Sequence, residues 1–126
     1  MPRTIRIQVG GQTLDGKLSD NETADEIWDS LPIETSVQKW GDEFYFDIGL
    51  ALDQAADART EMRVGELAYW PPGNAFCIFF GSTPASQADE PRAASEVNPF
   101  GMIEDDVEGL KSIPPGTRIL IEAVES

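Results

Sequence analysis

The residue types that most often perform chemistry in proteins are scarce in this chain. None of the 126 residues is a histidine, and Cys77 is the one cysteine. Histidine is the commonest general base near neutral pH and a frequent ligand of transition metals. Because Cys77 lies within the apolar run NAFCIFF and no histidine can activate it, we interpret it as a buried, unreactive thiol. One cysteine also excludes a disulfide within the chain and a thiolate zinc site.

Carboxylates are abundant, and Glu104, Asp105, Asp106 and Glu108 lie close together in the sequence. Oxygen ligands of this kind can hold Ca²⁺ or Mg²⁺. The cluster lacks the glycine turn and alternating spacing of an EF-hand loop, and negative charge is favoured at the start of a helix. We therefore interpret it as a charge cluster at a helix N-terminus, and we expect no metal site and no cofactor.

The charge balance limits the partners of this chain. It has 23 acidic and 9 basic residues, a net charge of −14. A field of this sign repels phosphate backbones and anionic lipid headgroups, so we expect neither a nucleic-acid nor a membrane partner. An acidic surface favours solubility; the alternative is a cationic partner. No apolar run approaches the ~18 residues of a membrane span, and the N-terminal segment is predicted as a strand rather than a leader, so we expect a cytoplasmic protein.

Period-two alternation and turn signals predict eight short strands in a single domain, residues 1–126. The predicted strands are 4–9, 12–18, 36–40, 43–48, 66–70, 75–80, 100–103 and 117–124. A capping box of Ser19 and Glu22 predicts a helix that ends at Pro32, and a second short helix is predicted at 105–112. Many short strands with few helices favour a mainly β fold, a closed eight-stranded barrel capped by one or two short helices, because closure removes exposed edges.

Two segments are predicted as irregular. Residues 49–63 have weak periodicity and are interpreted as a surface excursion. Residues 82–99, STPASQADEPRAASEVNP, contain little to bury and have the composition of a long exposed loop. Long loops in compact domains are often functional, so this segment is a candidate interaction surface.

Three stretches together carry a family resemblance. They are KLSDNETADEIWDSL at 17–31, VGELAYWPPGNAFCIFFG at 64–81 and NPFGMIEDDVEGLKSI at 98–113. In this order they resemble the cyclophilins, and more closely the small prokaryotic cyclophilin-like β-barrel proteins of uncertain function. Each motif is moderately specific by itself, and their order and spacing along most of the chain make the resemblance.

The resemblance implies a groove in which an arginine lowers the barrier to rotation of an X-Pro amide bond. By the match, Phe46 occupies the arginine position and Ile78 lies near the position of a glutamine. Residues 91–100, which include Val97, contain neither the tryptophan nor the histidine of that groove. We therefore assign no catalytic residues and do not expect peptidyl-prolyl isomerase activity.

The resemblance also implies which residues line the groove. The predicted ligand-binding residues are Tyr45, Phe46, Trp70, Ile78, Phe80, Val97 and Phe100. Each aromatic member could instead belong to the barrel core. The first hypothesis is that the groove binds a small apolar or aromatic ligand, or a short peptide.

Two alternatives remain open. One is a divergent peptidyl-prolyl cis-trans isomerase that uses Arg63 or Arg118. The other is a protein-interaction or oligomerisation domain, in which residues 82–99 form a contact and the protein is a homo-oligomer.

Overall fold

The computed structural model describes residues 3–124, and this part of the chain folds into ten strands and one α-helix. The strands are β1 (Thr4–Val9), β2 (Gln12–Leu18), β3 (Ile33–Ser36), β4 (Gln38–Lys39), β5 (Glu43–Asp47), β6 (Arg59–Glu61), β7 (Glu66–Trp70), β8 (Ala75–Phe79), β9 (Arg92–Ile103) and β10 (Arg118–Val124). The helix α1 is Glu22–Asp29, and 3₁₀ turns lie at Pro71–Gly73 and Glu108–Ser112. The mainly β prediction is confirmed.

The strands form one curved antiparallel sheet with the order β3-β10-β1-β2-β9-β7-β8-β5-β4, and β6 pairs with β9 beside this path. The prediction of a closed, eight-stranded barrel is wrong on both counts. Within residues 3–124, β3 and β4 at the two ends of the order do not pair. They are consecutive in the chain and separated by Val37 alone, so the two ends of the sheet lie next to each other.

Val37 divides the strand predicted at 36–40. Its N–H donates to Thr117 O at 2.9 Å, and its carbonyl accepts from the Gly116 N–H at 2.7 Å. These bonds hold Val37 beside the start of β10, whereas Gln38 and Lys39 pair with β5. Because the segment changes partners at Val37, one predicted strand becomes two.

The loop predicted at 82–99 is also wrong in its second half, because β9 is continuous over Arg92–Ile103. β9 pairs with β2, β7 and β6, and the pairing with β6 adds a strand within the predicted excursion 49–63. Ala68 pairs with Pro99 and Leu67 with Gly101, so Phe100 is an extra residue in the ladder. Such a bulge bends a strand. Residues 92–97 lie beyond it and cross the outer face of the sheet.

The helix begins two residues later than the predicted capping box requires. Asn21, not Ser19, is the N-cap, and its Oδ1 accepts from the Ala24 N–H at 2.8 Å. The Asn21 amide also donates to Pro99 O at 3.1 Å, which ties the start of α1 to β9. Ala24 and Ile27 are buried in the larger of two hydrophobic clusters, as expected for a helix that covers an end of the sheet. Within residues 3–124, no helix combines the length and apolar character that crossing a bilayer would need.

Side chains of β5, β7 and β8 alternate between two buried clusters, since successive side chains of a strand point to opposite faces. The larger one, here the inner core, fills the concave side of the sheet. From these three strands and the residue after β8 it takes Phe44, Phe46, Leu67, Tyr69, Phe76, Ile78 and Phe80. The smaller one, here the outer core, comprises Met62, Ala68, Ala75, Cys77, Phe79, Ala93 and Val97. Because residues 92–97 of β9 cover the outer face, every residue of β8 is buried.

Candidate functional site

A cavity of about 210 Å³ opens beside the outer core, and we name it the outer cavity. Its lining residues are Trp40, Glu43, Tyr45, Trp70, Ala93, Ala94 and Val97. They come from β5, β7, β9 and the residue that follows β4. The walls are therefore aromatic or aliphatic, with Glu43 the one ionisable carboxyl group among them.

The alternation of side chains along the strands places Glu43, Tyr45 and Trp70 on the same face of the sheet. Glu43 and Tyr45 are two residues apart on β5 and so share a face. Tyr45 pairs with Cys77 of β8, and Cys77 in turn pairs with Ala68 of β7. Trp70, two residues after Ala68, shares this outer face and ends its strand at the rim of the outer cavity.

The Trp70 ring is fixed from two directions. Its Nε1 donates to Ser95 Oγ of β9 at 2.7 Å. Below the ring, Gly73 approaches so closely that a Cβ atom there would lie 2.7 Å from Trp70 Cε3. The turn is completed by Asn74 in the left-handed region, at φ 49°. The Pro-Pro-Gly-Asn turn thus sets the position of one wall of the outer cavity.

Glu43 is a buried carboxyl group that has no cationic partner among residues 3–124. The residue is 5% exposed, and Oε1 is the one buried side-chain oxygen or nitrogen within residues 3–124 that has no hydrogen-bond partner. None of the ion pairs formed by residues 3–124 involves Glu43. Burial disfavours the charged form and raises the pKa of Glu43 to about 7.

Glu66 shows how the fold treats another buried carboxylate. It is 3% exposed, is bound by the guanidinium of Arg59, and accepts from the Arg63 N–H at 3.0 Å. Buried charges are usually paired in this way. The missing partner of Glu43 is therefore a property of the outer cavity and not of the fold in general.

Cys77 lies next to Glu43 on the outer face and is buried, in accordance with the interpretation from the sequence. The thiol lies near enough to lower the pKa of Glu43, against the larger effect of burial. The thiol makes a long contact of 3.9 Å with Ala75 O, and Glu43 Oε1 has no hydrogen-bond partner among residues 3–124. Burial, and secondarily the charge of Glu43, raise the pKa of Cys77 well above its ordinary value. Cys77 is thus a protonated packing residue.

The seven residues predicted for the groove divide between the two faces. Tyr45, Trp70 and Val97 line the outer cavity. The other four, Phe46, Ile78, Phe80 and Phe100, belong to the inner core and are at most 1% exposed.

The phenylalanines among the four pack on other phenylalanines of the inner core. The Phe46 and Phe76 rings stack at 5.1 Å between centroids, and Phe100 meets Phe76 edge-on at 5.0 Å. Phe46 and Tyr45 are adjacent on one strand and so point to opposite faces. Phe46 therefore lies on the face of β5 opposite to the outer cavity.

Four lining residues were not predicted: Trp40, Glu43, Ala93 and Ala94. The alternation of β5 contained a signal for Glu43, because it is two residues before Tyr45. Ala93 and Ala94 lie in the segment interpreted as a loop, and small residues there gave no sign of a strand.

The arginines considered for isomerisation lie elsewhere. Arg63 is 77% exposed and its Nε is 3.9 Å from Glu66 Oε1. Arg118 is on β10, 65% exposed, with its nearest carboxylate at Glu34. The lining of the outer cavity contains no arginine.

A second, larger cavity of about 810 Å³ lies between the start of α1 and residues 51–57. Its lining is polar and acidic. Asn98 holds one of its walls, because its Oδ1 accepts from the Ala55 N–H at 2.7 Å and its Nδ2 donates to Asp53 O at 3.0 Å. Within the described residues, no buried polar atom without a partner faces this cavity. Chemistry rather than size therefore identifies the outer cavity as the candidate site.

Among residues 3–124, no three or more His, Cys, Asp or Glu side chains are grouped so that they could hold a metal ion. Two carboxylates of the acidic cluster at 104–108 instead accept hydrogen bonds from backbone N–H groups. Asp105 Oδ2 accepts from the Asp15 N–H at 2.7 Å, and Asp106 Oδ1 accepts from the Glu108 N–H at 2.9 Å.

Known proteins place this architecture in a family. The model of the family described as cyclophilin-like matches residues 3–122. The solution structure of the hypothetical protein AF2241 from Archaeoglobus fulgidus is similar, with a TM-score of 0.82 and 35% identity over 98% of this chain and 95% of that chain. A comparison with curated proteins found no match. Because the family match extends from β1 into β10, the chain belongs to the cyclophilin-like family.

Proposed function

We propose that this protein is a binding domain that takes a small ligand, or a short segment of a peptide, into the outer cavity. The observation that carries the proposal is the combination of aromatic walls with one buried carboxyl oxygen that has no partner. Binding sites are commonly concave and apolar, with a few polar groups that fix the orientation of the ligand. The outer cavity has this composition, and Trp70 is already held in place.

The size of the outer cavity limits what can enter. Drug-sized ligands occupy roughly 300–1,000 Å³, so about 210 Å³ accommodates a small molecule or one side chain of a larger partner. The proposal therefore concerns a compact apolar or aromatic group, with the remainder of any larger ligand lying across Ala94 at the rim.

The proposal does not include isomerase activity. An isomerase needs a positive or hydrogen-bonding group at the prolyl amide, and the lining of the outer cavity offers no arginine. An NMR exchange assay on X-Pro peptides tests the alternative directly: catalysis that disappears in Arg63→Ala or Arg118→Ala would contradict the proposal.

The alternative of a protein-interaction or oligomerisation domain rests on residues 82–99. Residues 92–97 of that segment are part of β9, so the alternative now concerns the residues before β9. Light scattering of the protein with residues 84–89 shortened tests what remains of it. An unchanged mass distribution on shortening is the result expected under the binding proposal.

The test of ligand binding uses a panel of small apolar and aromatic compounds and short peptides, read by tryptophan fluorescence and by the melting temperature. A ligand at 100 times its Kd stabilises the folded state by about 2.7 kcal/mol. For a domain of this size that corresponds to a rise in Tm of roughly 10 °C. Trp70→Ala should abolish both signals. Trp28→Ala, which alters a partly buried tryptophan on α1 outside the outer cavity, should preserve them. A panel that leaves fluorescence and Tm unchanged would refute the proposal.

A further inference from the structure

We infer that the outer cavity binds a cationic group, an alkylammonium ion, with Glu43 as its counter-ion and the rings of Trp40, Tyr45 and Trp70 around it. This inference rests on the proposed function and adds the class of ligand. The ammonium group could belong to a free amine or to a lysine side chain, and these two sources share the same chemistry.

The unpaired state of Glu43 favours a cationic ligand. A carboxylate taken out of water is costly unless a charge or hydrogen bonds compensate it. Glu66 receives that compensation from Arg59, whereas Glu43 Oε1 has no partner within residues 3–124. A cation in the outer cavity, which Glu43 lines, would supply the positive charge that this carboxylate lacks.

The side chains that line the outer cavity with Glu43 also favour a cation. Three of the seven lining residues are tryptophan or tyrosine. The faces of these rings attract ammonium ions, and tryptophan does so most strongly. Aromatic rings beside a carboxylate favour a cation over a neutral ligand of the same shape, because both kinds of contact depend on the positive charge.

The Trp70 side chain is held in one position before any ligand binds. The Trp70 ring is fixed by its 2.7 Å hydrogen bond to Ser95 and by its contact with Gly73. A ligand therefore does not have to immobilise this side chain, and preorganisation of that kind increases affinity.

The size of the outer cavity selects among cations. At about 30 Å³ for each water, a volume of about 210 Å³ corresponds to roughly seven waters. n-Butylammonium, which has the shape of the end of a lysine side chain, fits this space. The net charge of −14 adds a field that concentrates cations near the protein.

The charge state of Glu43 sets the expected pH dependence. The carboxyl must be ionised to bind a cation, and burial raises its pKa to about 7. Cys77 on β8 and Tyr45 on β5 are the titratable groups beside it, and burial keeps Cys77 protonated. The lining residues contributed by β7 and β9 are uncharged. Affinity for an amine should rise on the order of 30-fold from about pH 5.5 to about pH 8, in proportion to the ionised fraction of Glu43.

The experiment compares n-butylammonium with n-butanol, its neutral counterpart, by calorimetry and tryptophan fluorescence at about pH 8. We expect n-butylammonium to bind more tightly than n-butanol. Glu43→Gln should weaken binding of the cation about 30-fold or more, the effect of removing one member of a buried charge pair, and should leave binding of the alcohol unchanged. Glu104→Gln, which removes an exposed carboxylate distant in sequence, is the matched control and should change neither affinity.

A lysine-containing tetrapeptide with blocked ends distinguishes the two sources of the ammonium group. A peptide that binds at least tenfold more tightly than n-butylammonium identifies a lysine side chain; equal affinity identifies a free amine. Both outcomes support the cationic site.

The remaining outcomes overturn the inference in distinguishable ways. Equal binding of n-butanol and n-butylammonium, unaffected by Glu43→Gln, would refute the cationic site and leave the binding function intact. If neither probe nor any member of the ligand panel binds, both fail. Trp70→Ala serves as a second variant should Glu43→Gln not fold, since loss of the ring should weaken the cation more than the alcohol.

Discussion

Replacing Glu43 by glutamine should change how the stability of this protein depends on pH. In the folded state burial raises the pKa of Glu43 from the ordinary value of 4.5 to about 7. Between these two pH values the unfolded chain has released the proton from Glu43 and the folded protein has kept it. The free energy of unfolding therefore falls as pH rises from about 4.5 to about 7, and is constant with respect to this group above that range. Glutamine has no proton to release, so this fall is absent in the variant.

The magnitude follows from the two pKa values. One pKa unit corresponds to about 1.36 kcal/mol, so the rise from 4.5 to about 7 corresponds to about 3 kcal/mol of destabilisation once Glu43 is ionised. At about pH 5 part of this destabilisation is already present, because Glu43 is mostly ionised in the unfolded chain at that pH. Between about pH 5 and about pH 8.5 the stability of Glu43→Gln relative to the parent protein should increase by about 2.5 kcal/mol.

The assay is urea denaturation of both proteins at several pH values between about 5 and 8.5. More acidic conditions are avoided, because a chain with a net charge of −14 loses that charge, and solubility with it, as its carboxylates are protonated. All other carboxylates titrate in both proteins and cancel in the difference. Glu104→Gln, which removes one exposed carboxylate, is the control for the loss of a negative charge.

A constant difference between Glu43→Gln and the parent, within about 0.5 kcal/mol over the pH range, would refute the reasoning. It would mean that Glu43 is solvated or paired in solution. The measurement does not need a ligand, so it tests the electrostatics of the outer cavity separately from its binding function.

Three further variants test other parts of the structure. Gly73→Ala places a Cβ atom against the Trp70 ring, so it should displace the ring, shift its fluorescence and cost about 1–3 kcal/mol in urea denaturation; an unshifted spectrum would contradict the contact. Asn21→Ala removes the cap of α1 and should lower stability by about 1 kcal/mol, whereas Asn21→Asp should retain most of it, as thermal unfolding would show. Glu66→Gln should lower the free energy of unfolding at neutral pH by about 2 kcal/mol, a value reduced for solvent screening because the Arg59 side chain is 40% exposed. A stabilised variant would contradict the ion pair.

Local sequence signals were sufficient for the strands that are held by hairpins. Gly10 and Gly11 predict the turn between β1 and β2, and both have positive φ, at 55° and 82°. The Pro-Pro-Gly-Asn run predicts the turn between β7 and β8, which the left-handed Asn74 completes. In each case the residues of the turn set its conformation, so the turn can be predicted from the local sequence.

Strands that are set by distant partners could not be predicted in this way. The first five residues of β9 are arginine, alanine, alanine, serine and glutamate, and they form a strand because β6 and the outer face of β7 and β8 are available to them. β6 likewise forms because it pairs with β9. At Val37, the division of one predicted strand into two follows from hydrogen bonds to Gly116 and Thr117, about 80 residues away in the sequence.

The incomplete prediction of the site has the same origin. Without residues 92–97 lying across it, the outer face of β5 would be open to water, and Glu43 would be an ordinary exposed residue at the start of a strand. Its burial, its raised pKa and the outer cavity itself all depend on that covering segment. Tyr45 and Trp70 could be found from aromatic motifs, whereas Glu43 needed both the alternation of β5 and the fold of β9.

The central claim is that the outer cavity is the ligand site, and the three tryptophans of the chain allow a direct measurement. Trp40 and Trp70 line the outer cavity, and Trp28 belongs to α1 and lies outside it, with the Arg3 guanidinium 5.6 Å from its ring centroid. In an NMR titration with n-butylammonium, the indole N–H resonances of Trp40 and Trp70 should shift in a saturable manner, and that of Trp28 should remain in place. Indole resonances that all stay unchanged, or a Trp28 shift as large as the other two, would contradict the account.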